Sequence, residues 1–114
     1  MTHVYKGFPQ RTTAGGYLVT KDGQPLDPGP SQKLDNYGPY GFSWGANGPR
    51  SAQLALALLL DVTDDALLSV RLHLPFNDEM VATIPMDTPW VMLDLTIKSW
   101  VNQKQILERM GNRH

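Results

Sequence analysis

The feature that most constrains the fold is an apolar run from Gln53 to Val62, QLALALLLDV, in which eight of ten residues are apolar. These residues leave no polar stripe at the helical repeat, so a helix here must be covered on all sides. Ten helical residues span only ~15 Å, which is too short to cross a membrane core of ~30 Å. The run therefore predicts a buried central helix in a globular protein.

The size and charge of the chain limit its class. A chain of 114 residues is the size of one domain, and we expect a single domain over residues 1–114. We divide it into a β-hairpin and Pro-rich loop (1–33), a Gly/aromatic loop (34–52) and a helical part (53–110). The formal net charge of -1 disfavours charge-driven binding to nucleic acid, and it also disfavours mimicry of nucleic acid.

The residues that usually hold metals or cofactors are sparse. There is no cysteine, which excludes a disulfide, a thiolate nucleophile and a Cys-based zinc site. His3, His73 and His114 are far apart and lack metal-ligand spacing, and we expect His73 at a helix surface or only partly buried. The sequence predicts no metal and no cofactor. The N-terminus has no apolar run typical of a secretion signal, so we expect a cytoplasmic protein that does not enter a membrane.

The first third of the chain carries strand and turn signals. Asp22-Gly23 favours a type I′ turn, so Tyr17–Thr20 and Gln24–Leu26 are predicted to pair as a hairpin. Val4–Gly7 is a candidate third strand. The prolines between residues 25 and 30, with Ser31–Lys33 after them, predict a loop.

The remaining helices are predicted from caps and periodicity. Pro49 suits the first turn of the central helix, with Asn47 or Ser51 as its cap. Thr63 is predicted to cap a second helix whose first turn holds Asp64 and Asp65.

That second helix is predicted over residues 66–74, although strict alternation from Val70 to Phe76 is also typical of a strand. Pro75 should end or kink it, and residues 77–84 are compatible with either helix or strand. After a break at residues 85–89 and an apolar stretch at residues 90–93, Asp94 is predicted to cap a last helix from Leu95 to Met110. The fold class is α+β: a small N-terminal antiparallel hairpin or three-stranded sheet, packed on about three helices including the buried central one.

The segment before the central helix has the most distinctive composition. One interpretation is an ordered loop whose rings cover the end of the central helix. The other is an anion site at Gly45–Arg50, where a helix begins, although neither GxGxxG nor GxxxxGK[ST] is present. As partner-binding candidates we take its rings and the two polar residues near the helix start: Tyr37, Tyr40, Phe42, Trp44, Asn47 and Arg50.

No catalytic residue is predicted. No serine lies in a Gly-x-Ser-x-Gly motif. The neighbouring carboxylates Asp61, Asp64 and Asp65, and the pair Asp78 and Glu79, could act in acid–base chemistry or bind a divalent ion. They are more typical of a helix start and of solvated turns.

Several motifs together resemble a small uncharacterised family found in bacteria, archaea, plasmids and phages. The central one is Gly41-Phe42-x-Trp44-Gly45, followed after a Gly-rich link by the apolar run from Gln53. The likeness covers nearly the whole chain and includes these further positions: Tyr5, Gly7, Val19, Asp22, Gly23, Pro25, Leu26, Asp64, Asp65, Phe76, Val81, Ala82, Pro85, Trp90, Ile97 and Trp100. The resemblance implies an accessory gene on mobile DNA and carries no assigned reaction.

Three functions are weighed. The leading hypothesis is a non-catalytic phage or mobile-element protein that blocks a host protein, most specifically an inhibitor of an anti-phage defence system of the anti-CRISPR type. Its partner would be a subunit of a CRISPR effector or of another defence complex. The alternatives are a nucleic-acid-binding accessory or regulator that uses Lys98 and Lys104, and an enzyme that binds a phosphate ligand at the Gly45–Arg50 turn.

Overall fold

The computed structural model describes residues 2–13 and 15–111 and has an α+β fold, as predicted. Within these residues, four strands form one antiparallel sheet, and four α-helices accompany it. The elements are β1 Val4–Arg11, β2 Tyr17–Lys21, β3 Gln24–Pro25, α1 Gly29–Gln32, α2 Pro49–Thr63, α3 Ala66–Phe76, β4 Trp90–Leu93 and α4 Asp94–Gly111, with a π-helical turn at Asn77–Val81. In the described part of the chain, no helix combines the length and the apolar character that crossing a membrane requires.

The sheet has the order β3-β2-β1-β4. Asp22 and Gly23 have φ angles of 50° and 85°, which matches the type I′ turn, and Lys21 pairs with Gln24 across it. The predicted hairpin and third strand are therefore confirmed.

The fourth strand was not predicted and lies within the part of the chain expected to be helical. β4 pairs with β1 in a register that places Trp90 opposite Gly7 and Leu93 opposite Val4. Four residues between Pro89 and the start of α4 carry too short a pattern to indicate a strand. Their partner lies more than eighty residues away in sequence, so local signals are silent about the pairing.

Gly7 explains why β4 can lie beside β1. A Cβ atom at this position would lie 2.0 Å from Nε1 of Trp90, so the indole packs directly over the glycine. Trp90 is buried, and Tyr5 two residues earlier is also part of the core. In the early Tyr-x-Gly motif, the tyrosine thus packs in the core and the glycine leaves room for the Trp90 indole.

The central helix is confirmed as α2, in which every residue from Ser51 to Leu59 is buried. It begins at Pro49, as the sequence predicts, and Gly48 is its N-cap. The Gly48 N–H donates to Oγ of Ser51 at 3.0 Å, which satisfies one free donor of the helix end. Ser51 therefore stabilises this end of the helix, whereas Asn47 points elsewhere.

The predicted cap of the second helix is wrong by two residues. Thr63 is the last residue of α2, and Asp64 follows in the left-handed region with φ 51°. The cap of α3 is Asp65, whose carboxylate accepts from the Leu68 N–H at 3.1 Å. Asp65 is better placed to cap because Thr63 Oγ1 donates to the Leu59 carbonyl inside α2.

The helix interpretation of residues 66–74 is confirmed, but Pro75 does not end it. α3 runs through Pro75 to Phe76 and continues into the π-helical turn Asn77–Val81. The proline lacks an N–H and its ring displaces the preceding turn, and the wider turn that follows accommodates this. The Ala82 N–H then donates to the Asn77 carbonyl at 2.8 Å, which is the spacing of a π-helix.

Residues 29–32 also differ from prediction, because they form the short helix α1 where a loop was expected. The Gln32 N–H donates to the Pro28 carbonyl at 3.0 Å, and Ser31 Oγ donates to the same carbonyl at 2.7 Å. Ser31 is buried against α2. The prolines here start a helical turn because their fixed φ suits its first positions.

Candidate partner-binding groove

The aromatic residues before α2 fall into two groups. Phe42 and Trp44 are 3% and 1% exposed, whereas Tyr40 is 56% exposed and Tyr37 is partly buried. Phe42 forms an isolated bridge with Tyr17 at the end of β2, and its carbonyl accepts from the Tyr17 N–H at 2.8 Å. Successive side chains of an extended segment point to opposite sides, so residues 42 and 44 both enter the core.

Trp44 is fixed on three sides. Its indole N–H donates to the Thr88 carbonyl at 2.9 Å. Its ring lies edge-on to Trp90 with centroids 5.8 Å apart, and tilted against Tyr17 at 5.0 Å. Because Phe42 and Trp44 pack inside the protein, the surface that they were predicted to share with a partner is formed by their neighbours.

Gly45 lets the chain turn sharply after Trp44. Its φ angle is 82°, and an added Cβ would lie 2.6 Å from the Met86 Cα. Both the backbone angle and the contact exclude a side chain here. The Gly45 N–H donates to the Val81 carbonyl at 3.2 Å, which holds this turn against the end of the π-helical turn.

A surface cavity of about 340 Å³ lies beside the first turn of α2. We call it the Tyr40 groove; six of its lining residues are Tyr37, Tyr40, Ser43, Ala46, Pro49 and Arg50. The Arg50 guanidinium carbon lies 5.4 Å from the centroid of the Tyr40 ring, a cation–π contact that orients both side chains. Three predicted site residues, Tyr37, Tyr40 and Arg50, therefore meet in one groove.

Tyr37 forms one side of this groove, and hydrogen bonds hold it in place. Its hydroxyl lies 2.6 Å from Nε2 of His73, while Nδ1 of His73 lies 2.7 Å from the Val70 carbonyl. We assign the imidazole proton to Nδ1, because a carbonyl can only accept, so the Tyr37 hydroxyl donates to Nε2. Burial, and then the Asp35 carboxyl, raise the pKa of Tyr37, which keeps this donor protonated.

His73 itself is buried, and the expectation of a surface or partly buried position is wrong. Its neighbour in the same network is Gln53, which is 1% exposed. The Gln53 amide accepts from the Tyr37 N–H at 2.9 Å and donates to Ser31 Oγ at 2.9 Å. Nothing local in the sequence indicates either contact, since both join segments far apart in the chain.

Asn47 belongs to a different contact. Its amide nitrogen donates to Asp78 at 2.5 Å, and its amide oxygen accepts from Asn77 at 2.9 Å. Both partners lie in the π-helical turn. Asn47 thus links the loop before α2 to that turn and does not line the Tyr40 groove.

The Gly45–Arg50 turn offers few donors to an anion. The N–H groups of Gly45 and Gly48 donate to the Val81 carbonyl and to Ser51 Oγ, and Pro49 has no N–H. Of the five carboxylates considered for other chemistry, four accept hydrogen bonds or form ion pairs, and Asp64 is exposed. Asp61 accepts from the Tyr5 hydroxyl and pairs with Lys21 at 2.9 Å.

The two lysines considered for nucleic-acid binding lie in ion pairs on α4. Lys104 Nζ lies 2.5 Å from Glu79 and over the Trp100 ring, and Lys98 pairs with Asp94 at 3.4 Å. Within residues 2–13 and 15–111, no group of three or more His, Cys, Asp or Glu is arranged to hold a metal. His114 lies outside the described residues.

Comparison with protein families identifies the family of this chain. A model of the family of unknown function DUF6166 matches residues 5–103. The chain belongs to this family, which agrees with the uncharacterised family that the motifs resemble. Comparison with curated proteins and with solved structures gives no significant match.

Proposed function

We propose that this member of DUF6166 is a non-catalytic protein that binds a partner protein at the Tyr40 groove. The observation that carries the proposal is an exposed tyrosine stacked with an arginine over a cavity of about 340 Å³. Tyrosine and arginine are among the residues that contribute most to the energy of protein interfaces.

The groove is also fixed before a partner arrives. Hydrogen bonds to His73 and Gln53 hold Tyr37, and the floor is the first turn of α2. A surface that is ordered in advance loses less conformational entropy on binding. This supports binding, because Tyr37, His73, Gln53 and Ser51 already hold the walls of the groove in place.

The specific partner that we propose is a host protein of an anti-phage defence system, such as a subunit of a CRISPR effector. The support is the resemblance of the motifs to proteins of phages and plasmids. A net charge of -1 favours obstruction of a protein surface, because imitation of DNA requires a dense acidic face. The ion pairs of Lys98 and Lys104 make a nucleic-acid-binding role the weaker candidate.

A phage-plating assay tests this proposal. Expression of the chain in a host whose CRISPR system targets a phage should restore plaques, and Tyr40→Ala should abolish the effect. Leu67→Ala is the matched control, because Leu67 is 84% exposed on α3 and lies outside the groove. Unchanged plating across hosts with different defence systems would contradict the inhibitor role, and failure to capture a protein from a sensitive host would contradict partner binding itself.

A further inference from the structure

We infer that the partner presents an extended acidic peptide segment, anchored by Arg50 and Arg11 across two neighbouring cavities. This inference rests on the proposed function and specifies the chemistry of the partner. It starts from the second cavity, which has a volume of about 140 Å³. Ser43, Ala46 and Arg50 line both cavities, so the two lie side by side with Arg50 between them, and we call the pair of cavities the channel.

The far end of this channel is made by Arg11 and Tyr17. The Arg11 guanidinium donates to the Gly15 carbonyl at 2.7 Å and stands 5.6 Å from the centroid of the Tyr17 ring. Arg50 stacks on Tyr40 in the same manner. Each end of the channel therefore carries a guanidinium held against a tyrosine, with N–H groups left over for a ligand.

The charges in the channel do not cancel. In the described ranges of the chain, neither Arg11 nor Arg50 lies within 4.0 Å of a carboxylate oxygen, in contrast to Arg71, which pairs with Glu108. The one carboxylate that lines the channel is Asp87, and it accepts from the Tyr17 hydroxyl. The channel therefore holds two positive charges and one negative charge. A partner with negative charges would complement this excess.

An acidic peptide fits this arrangement better than a nucleic acid does. Side-chain carboxylates match the fork of a guanidinium and form charge-assisted hydrogen bonds with it. A single strand of nucleic acid would need open ring faces for its bases, but Arg11 and Arg50 occupy faces of Tyr17 and Tyr40.

The experiment selects short random peptides displayed on phage against the purified chain. We expect the enriched peptides to carry at least two Asp or Glu residues. Fluorescence anisotropy then measures the Kd of the best peptide. Because a hydrogen bond to a charged group contributes about 1.5–3 kcal/mol, Arg50→Ala and Arg11→Ala should each weaken binding by roughly tenfold to a hundredfold.

Two further variants separate charge from shape. Arg50→Lys should recover only part of the affinity, since an ammonium cannot form the forked pair. Arg71→Ala should leave the Kd unchanged, because this guanidinium is paired with Glu108 and lines neither cavity. Higher salt should weaken the binding of the acidic peptide and leave the binding of a neutral peptide unchanged.

Several results would overturn the inference. The selection would contradict it if it yielded neutral or basic peptides, or no peptide at all. The affinity measurements would contradict it if neither arginine variant changed the Kd, or if oligothymidylate bound more tightly than any peptide. Each leaves the plating assay free to succeed, because that assay does not depend on the chemistry of the partner. Restored plaques with wild type and with Arg11→Ala alike would keep the proposed function and reject the acidic segment.

Discussion

Two pairs of side chains from one short segment occupy different environments. Phe42 and Trp44 are buried in the core, whereas the exposed Tyr40 ring stacks with the half-buried Arg50 at the Tyr40 groove. The first pair is fixed by the bridge to Tyr17 and by the hydrogen bond to Thr88. One segment therefore contributes both to the core and to the surface, through different residues. Phe42 and Trp44 complete the core, and Tyr40 and Arg50 form part of the surface.

Mutation can test this division, because Phe42 and Trp44 should control stability whereas Tyr40 and Arg50 should control binding. The largest effect is expected at Trp44. Trp44→Ala leaves a cavity against Trp90 and removes the donor to Thr88, and truncations of this type cost about 3–5 kcal/mol. Urea unfolding followed by circular dichroism measures the loss.

Tyr40→Ala is the matched control for Trp44→Ala. Its ring is 56% exposed, and surface substitutions usually change the free energy of unfolding by no more than about 0.5 kcal/mol. Equal destabilisation by the two variants would contradict the division of the segment.

The next effect is expected at Gly45, where the buried and exposed parts of the segment meet. Gly45→Ala forces a side chain onto a φ of 82° and against the Met86 backbone, which should cost about 1–3 kcal/mol. Gly48→Ala has no neighbouring atom within 4 Å of the new Cβ and should cost less than about 1 kcal/mol. Thermal unfolding of both variants ranks them, and a smaller loss at Gly45 would reject this account of the turn.

A further prediction concerns Gln53, whose side chain holds Tyr37 in the groove. Gln53→Leu makes α2 more apolar, yet it should destabilise the protein by about 1–3 kcal/mol because the Tyr37 N–H and Ser31 Oγ lose their partner. Gln103→Leu on the exposed side of α4 is the control and should change little. An increase in stability on Gln53→Leu would show that this network does not hold Tyr37.

The smallest effect concerns pH and lies far from both pairs. The hydrogen bond from His3 lowers the pKa of Asp22, so the contribution of Asp22 is present above its unfolded pKa of about 3.9 and is lost as pH falls through the lower folded value. Asp22→Asn keeps the turn geometry and removes this titration. Unfolding free energies between neutral and acidic pH should fall more steeply for wild type than for the variant, and parallel curves would contradict the assignment.

The sequence predicts local features of this fold better than long-range ones. The buried run of α2, the Asp22-Gly23 turn and the extent of α4 follow from periodicity and turn chemistry. Three other features depend on residues far apart in the chain, so local patterns do not predict them. They are the pairing of β4 with β1, the packing of Trp90 on Gly7 and the burial of His73. The composition of residues 37–50 indicated a contact surface, but it could not show which rings face inward, because that depends on the bridge from Phe42 to Tyr17.

The most direct test of the central claim measures stability and binding on the same double variant, Tyr40→Ala with Arg50→Ala. We predict a urea midpoint within error of wild type and a loss of roughly a hundredfold in affinity for the selected acidic peptide. A large fall in the midpoint, or an unchanged affinity, would contradict the assignment of these two residues to a binding surface.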